Sequence, residues 1–80
     1  MNVKFYGSGE CVECQVGMFL LDSYAVNYEY LDVQSDQQVA MELRSLVGTQ
    51  EAISLPAIVV GDRLLCDPTE DELADAMGIS

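Results

Sequence analysis

Apolar and polar positions switch period several times along the chain, and each switch marks an element. Over residues 2–7 the side chains alternate, with Val3 and Phe5 on one face. Gly7, Ser8 and Gly9 then break the pattern, which predicts a first strand ending in a flexible loop. From residue 12 to about residue 23, Val12, Val16, Phe19 and Leu20 recur at helical spacing, so a helix is expected with that stripe facing the core, despite the propensity cost of Gly17. Residues 28–33 are rich in aromatic and β-favouring side chains and lie between Asn27 and the pair Ser35 and Asp36, the signature of a second strand. Ser35 and Gln38 have the spacing of a capping box, Val39, Leu43 and Leu46 follow at i, i+4 and i+7, and Gly48 suits a C-terminal cap, which together predict a second helix.

The run Ala57, Ile58, Val59, Val60, then Gly61 and Asp62, then Arg63, Leu64, Leu65 is a hairpin signal, with both turn residues able to take positive φ. A last helix follows, capped by Asp67 or Thr69, with Pro68 near its first turn and Glu70, Asp71 and Glu72 complementing its dipole. Leu73, Ala76 and Met77 face inward, and Gly78 ends the helix. Strands joined through a helix should be parallel and hairpin strands antiparallel, so the sheet is mixed. The expectation is a single α/β domain over residues 1–80, and a chain of this length supports one core.

Composition narrows the function. Fourteen acids against three bases (Lys4, Arg44, Arg63) give a net charge of −11, which argues against nucleic acid and anionic lipid, because both need a basic surface. A protein with a positive patch or a neutral small molecule fits better. Half the residues are apolar, and the longest uncharged apolar run is far short of the ~20 residues that cross a bilayer. No basic-then-apolar secretory signal is expected at the start. The absence of histidine excludes imidazole-based hydrolase triads and His-ligated zinc. Three cysteines, Cys11, Cys14 and Cys66, are too few for a secreted disulfide scaffold, which points to a reducing cytoplasm.

The chemistry concentrates at Cys11-Val12-Glu13-Cys14, where a strand, a Gly-rich loop and a helix meet. Residues three apart on a helix share a face, with Cα atoms roughly 5 Å apart, inside the ~4.4–6.8 Å window of a disulfide. Cys11 would sit at the positive end of the helix dipole and attack a substrate disulfide; Cys14, one turn inside, would resolve the mixed disulfide. Glu10 and Glu13 place negative charge beside the pair, which favours a reductant over a strong oxidant. The other readings of the motif are half a zinc site, for which only Cys66 remains as a further thiol ligand, and two incidental core cysteines. Cys66 reads as a small buried hydrophobe or as an accessible regulatory thiol. Tyr6 reads as packing and Asp32 as a solvated strand-edge carboxylate, each with a catalytic alternative, the latter as proton acceptor for Cys14. The acids Asp67, Glu70, Asp71, Glu72 and Asp75 form a solvated helix face that can also select a basic partner.

The element order, the Cys-x-x-Cys at the first helix, and Leu55-Pro56 just before the hairpin together resemble the thioredoxin superfamily. Residues 6–14 (Tyr-Gly-Ser-Gly-Glu-Cys-Val-Glu-Cys) and 55–62 (Leu-Pro-Ala-Ile-Val-Val-Gly-Asp) are most similar to small glutaredoxin-like redoxins that reduce ribonucleotide reductase, and residues 67–70 resemble small archaeal thioredoxin-like proteins. The resemblance implies a thioredoxin fold, a four-stranded sheet in the order 2-1-3-4 with three helices, and a cis Pro56 beside the cysteine pair. It further implies substrate contacts at Leu55, Pro56, Val12 and Glu13, with the Leu55 backbone pairing with substrate peptide. The implied activity is thiol-disulfide oxidoreduction of protein substrates by a monomer that uses no cofactor of its own. Two departures bear on its partners. Leu65-Cys66-Asp67 stands where glutathione-using members carry Gly-Gly, and acids flank the motif, so glutathione is disfavoured and an NADPH-dependent thioredoxin reductase is the expected electron source. The lack of Trp departs from the ribonucleotide-reductase redoxins and weakens that substrate assignment. The rival class is a binding module that docks a basic partner through its acidic face without redox turnover.

Overall fold

A computed structural model describes residues 2–48 and 54–78. The elements are β1 (Val3–Gly7), α1 (Val12–Ser23), β2 (Glu29–Asp32), α2 (Gln37–Val47), β3 (Ala57–Val60), β4 (Arg63–Cys66) and α3 (Glu70–Ala76). The strands form one sheet in the order β2-β1-β3-β4. β1 runs parallel to β2 and antiparallel to β3, and the β3–β4 hairpin is antiparallel, so the expected mixed topology is observed.

Alternation along β1 and β3 divides the interior in two. Val3 and Phe5, with Ile58 and Val60, face a cluster completed by Cys14 and Leu21 of α1 and by Leu73 and Met77 at α3. Tyr6 and Ala57 point to the other side, against Val39 and Leu43 of α2. On that side the buried Tyr6 hydroxyl donates to Glu42 Oε1 at 2.6 Å, satisfying the one polar atom its ring carries inward. Burial and the Glu42 carboxylate both push the Tyr6 phenol up, so it stays neutral.

The rotation of α1 corrects the sequence expectation. Val12, Val16 and Phe19, expected in the core, are 68%, 54% and 71% exposed, whereas Cys14, Gly17 and Leu21 are buried against the sheet. The cause is steric. A Cβ at Gly17 would lie 3.0 Å from the Phe5 ring, so the missing side chain lets α1 approach the sheet on the Cys14–Gly17–Leu21 side. α1 is apolar on more than one side, and the small residues decide which stripe is inward.

Local signals differ in smaller ways. Asp36, not Ser35, caps α2, its Oδ1 accepting from the backbone of Gln38 and Val39 at 3.0 and 3.4 Å. Gly48 closes α2 in the left-handed region, as expected, while Leu46 remains half-exposed. In the hairpin turn only Gly61 takes positive φ. Thr69 caps α3 in a reciprocal capping box with Glu72; Asp67 instead adopts a left-handed conformation between β4 and α3.

Gly7 faces the same cluster as Phe5. A Cβ there would lie 2.8 Å from the Phe5 ring and 3.1 Å from Cys14 Sγ. Gly7→Ala should therefore lower the free energy of unfolding by about 1–3 kcal/mol through overpacking. A urea titration should show a lower midpoint at unchanged m-value; an unchanged midpoint contradicts this packing.

Candidate functional site: the Cys11–Cys14 turn and its groove

The site begins with a turn that its own backbone holds. Cys11 N–H donates to Ser8 O at 3.2 Å, and Glu10 N–H donates to Ser8 Oγ at the same distance. Ser8 Oγ in turn donates to Gln34 Oε1 at 3.2 Å, tying this loop to the segment after β2. Asp32 Oδ1 accepts from Gln34 and Ser35 N–H at 2.8 and 3.2 Å, so it serves the turn after β2.

Cys11 is the N-cap of α1, extended at φ −90° and ψ 116°, and its Sγ accepts from Cys14 N–H at 3.1 Å. A thiol here occupies the role Ser or Asp takes at other helix starts, with its sulfur set against the unpaired N–H groups of the first turn. Cys11 is partly exposed, Cys14 is fully buried, and both thiols are free. Burial, the hydrogen bond with Cys11 and the charges of Cys11 and Glu13 push the Cys14 thiol up to about 12, against a backbone hydrogen bond from Ser8 that lowers it. Glu10 and Glu13 are exposed beside the pair, with Glu13 Oε2 3.9 Å from Cys11 Sγ.

Beside the turn lies a cavity of about 350 Å³, at the small end of the ~300–1,000 Å³ of ligand pockets. Val12, Val16 and Leu20 of α1 line it together with Pro56, Ile58 and Leu73. Glu13, Asp67 and Glu70 line it as well. The Leu55–Pro56 peptide is cis, as the resemblance implied, and Pro56 is buried with its Cγ near α1 at Gly17. Asp67 N–H donates to Pro56 O at 2.8 Å, which pins the β4–α3 junction to the proline loop.

The structure thus brings Cys11, Cys14, Val12, Glu13 and Pro56 together. Leu55 is half-buried against both core clusters and does not line the cavity. Cys66 is exposed at the end of β4, which corrects the reading of it as a buried hydrophobe. Tyr6 lies on the α2 side of the sheet and is a packing residue. Sequence reasoning missed Gly17, Leu20, Asp67 and Glu70 as cavity residues. The available signal was Gly17, three positions after Cys14, where a glycine inside a helix marks a close approach. Among the described residues no three potential metal ligands converge, and no helix is long and apolar enough to cross a membrane.

Sheet order, the Cys-x-x-Cys at the start of α1 and the adjoining cis-proline loop define a thioredoxin-fold dithiol protein. The glutaredoxin family model matches residues 3–65, and the chain belongs to that family. Membership supports a thiol-disulfide redox role. No curated protein sequence is a significant match to the chain. Among solved structures it is similar to the glutaredoxin grx-1 from Archaeoglobus fulgidus, with a TM-score of 0.81 and 22% identity over 95% of this chain and 85% of that one. It is also similar to NrdH-redoxin from Escherichia coli, a glutaredoxin-like protein described as having a thioredoxin-like activity profile. That match has a TM-score of 0.79 and 21% identity over 94% and 93% of the two chains. A mutant thioredoxin-like protein matches with a TM-score of 0.85 and 19% identity, covering 99% and 97%. At these identities the solved structures establish the fold.

The raised Cys14 value has a consequence for stability. A thiol that holds its proton more tightly when folded contributes stability below its unfolded value, near 9, and loses that contribution as pH climbs toward 12. The unfolding free energy of the reduced protein should fall more steeply between pH 9 and 11 than that of Cys14→Ala, measured by urea titration at each pH. Parallel slopes contradict the burial of a neutral Cys14 thiol.

Proposed function

We propose that the protein is a dithiol reductant of protein disulfides in which Cys11 is the attacking thiol and Cys14 the resolving one. The observation that carries this reading is the asymmetry of the pair: Cys11 is accessible and accepts a hydrogen bond at the helix start, while Cys14 is buried and holds its proton.

Cys11 thiolate attacks one sulfur of the substrate disulfide, forming the Cys11–substrate bond and releasing the other sulfur as a thiolate that takes a proton from solvent. Consumption of the Cys11 anion removes two of the influences that raise Cys14, its negative charge and its hydrogen bond. Cys14 then loses its proton more readily and attacks Cys11 Sγ, which releases the second substrate thiol and leaves a Cys11–Cys14 disulfide. Two electrons from a reductase return the pair to dithiol. The cis-proline loop, with Leu55 and Pro56, and the motif residues Val12 and Glu13 hold the substrate chain beside Cys11.

The electron donor in this reading is an NADPH-dependent thioredoxin reductase. Its support is the acidic flank of Glu10 and Glu13, Cys66-Asp67 at the last turn, and the similarity to a redoxin with a thioredoxin-like profile. Each charge-assisted contact that anionic glutathione would lack here forfeits about 1.5–3 kcal/mol. A disulfide reductant needs a reducing compartment, so the cytoplasm is the proposed location. Ribonucleotide reductase is one candidate among protein disulfide substrates.

Cys14→Ser should accumulate a mixed disulfide with substrate through Cys11, whereas Cys11→Ser should form none, as read by non-reducing electrophoresis and mass spectrometry; equal trapping by both contradicts the roles. The wild type should accelerate dithiothreitol-driven insulin reduction, and failure to do so favours the docking-module alternative. NADPH with thioredoxin reductase should reduce the Cys11–Cys14 disulfide faster than glutathione with its own reductase does, and comparable rates overturn the donor assignment.

A further inference from the structure

The cavity beside Cys11 has an apolar wall and an uncompensated acidic lining. Val12 and Val16 are largely exposed on that side of α1, and Phe19 extends the same exposed stripe one turn further. Glu13, Asp67 and Glu70 supply the lining charge, and among the described residues no cation lines the cavity. The two ion pairs among the described residues, Lys4–Glu42 at 3.6 Å and Arg63–Asp75 at 3.9 Å, use none of the three. Glu72 is committed to the Thr69 capping box, so Glu13, Asp67 and Glu70 are the carboxylates left facing an occupant. The hydrogen bond from Asp67 N–H to Pro56 O fixes one of them at the proline loop, and Glu13 sits inside the Cys-x-x-Cys itself.

We infer that this groove selects disulfides on basic protein segments: an aliphatic residue next to the target cysteine fills the pocket between α1 and Pro56, and a neighbouring Lys or Arg meets Glu13, Asp67 and Glu70. The inference rests on the proposed exchange at Cys11 and adds its substrate class. Charge complementarity is what commits the groove to a basic occupant. An acidic segment would bring like charge against three carboxylates beside the reacting sulfur, where the net charge of −11 already repels anions. Aliphatic contact supplies the remaining recognition, because exposed ion pairs alone give weak binding.

The test uses the full-length reduced protein and reporter pairs of peptides joined by one disulfide, identical except that the cysteine is flanked by Leu-Lys, Leu-Ser or Leu-Glu. Each rate is divided by the dithiothreitol rate on the same peptide, which removes the effect of flanking charge on the disulfide itself. The expected order of the second-order rate constants is Lys over Ser over Glu, with about tenfold between the extremes at low ionic strength. That ratio should shrink as the screening length falls from ~30 Å at 0.01 M to ~10 Å at 0.1 M salt. Glu13→Gln combined with Glu70→Gln should lower the Lys-to-Glu ratio. Equal normalised rates for all three peptides overturn the selectivity while leaving the exchange reaction standing. A ratio that ignores both salt and the double substitution also overturns it. If none of the peptides is reduced, the exchange reading fails and the substrate class fails with it.

Discussion

The ring of Phe5 is the contact on which the arrangement of the site depends. It is fully buried on β1, lies 5.7 and 5.8 Å by ring centroid from Tyr28 and Tyr30, and would stand only 2.8 and 3.0 Å from a Cβ at Gly7 and Gly17. Burying a side chain of this size contributes about 1.5–3 kcal/mol, and its two glycine neighbours let strand and helix close around it. Because Gly17 must face this ring, the rotation of α1 is fixed: Cys14 and Leu21 turn inward with Gly17, and Val12, Val16 and Phe19 turn outward.

The functional features follow from that rotation. Cys14 is carried under the helix beside Gly7, where desolvation keeps it protonated, while Cys11 stays at the cap with access to solvent. The outward stripe leaves apolar side chains beside the Cys11 turn, and the cis-proline loop with the β4–α3 junction lines the same groove. One packing constraint thus sets both the difference in burial between the two thiols and the lining of the groove beside them.

Much of this was legible in the sequence where the signal was local. Alternation in β1, the hairpin around Gly61, the αL cap at Gly48 and the Cys-x-x-Cys at a helix start depend on neighbours a few residues apart, and the elements appear where those patterns place them. What was not legible depended on distant partners. The inward face of α1 was misread because two apolar stripes compete and the choice is made by a ring on β1. Cys66 was read first as buried because its residue type usually is, yet β4 is an edge strand and its last residue is exposed. Ser35 matched a capping pattern, but Asp36 one position later presents its carboxylate to the Gln38 and Val39 N–H groups. Asp67 and Glu70 looked like part of a solvated helix face, yet both line the groove, with Asp67 bonded to Pro56 O through its backbone.

The most direct test of a reversible Cys11–Cys14 couple is an equilibrium titration of the wild-type protein in dithiothreitol redox buffers, quenched with acid, alkylated and read by peptide mass mapping. A single two-electron transition should link Cys11 to Cys14 in one peptide, with Cys66 alkylated at every potential. A disulfide through Cys66, or independent oxidation of Cys11 and Cys14, would contradict the assignment of the site.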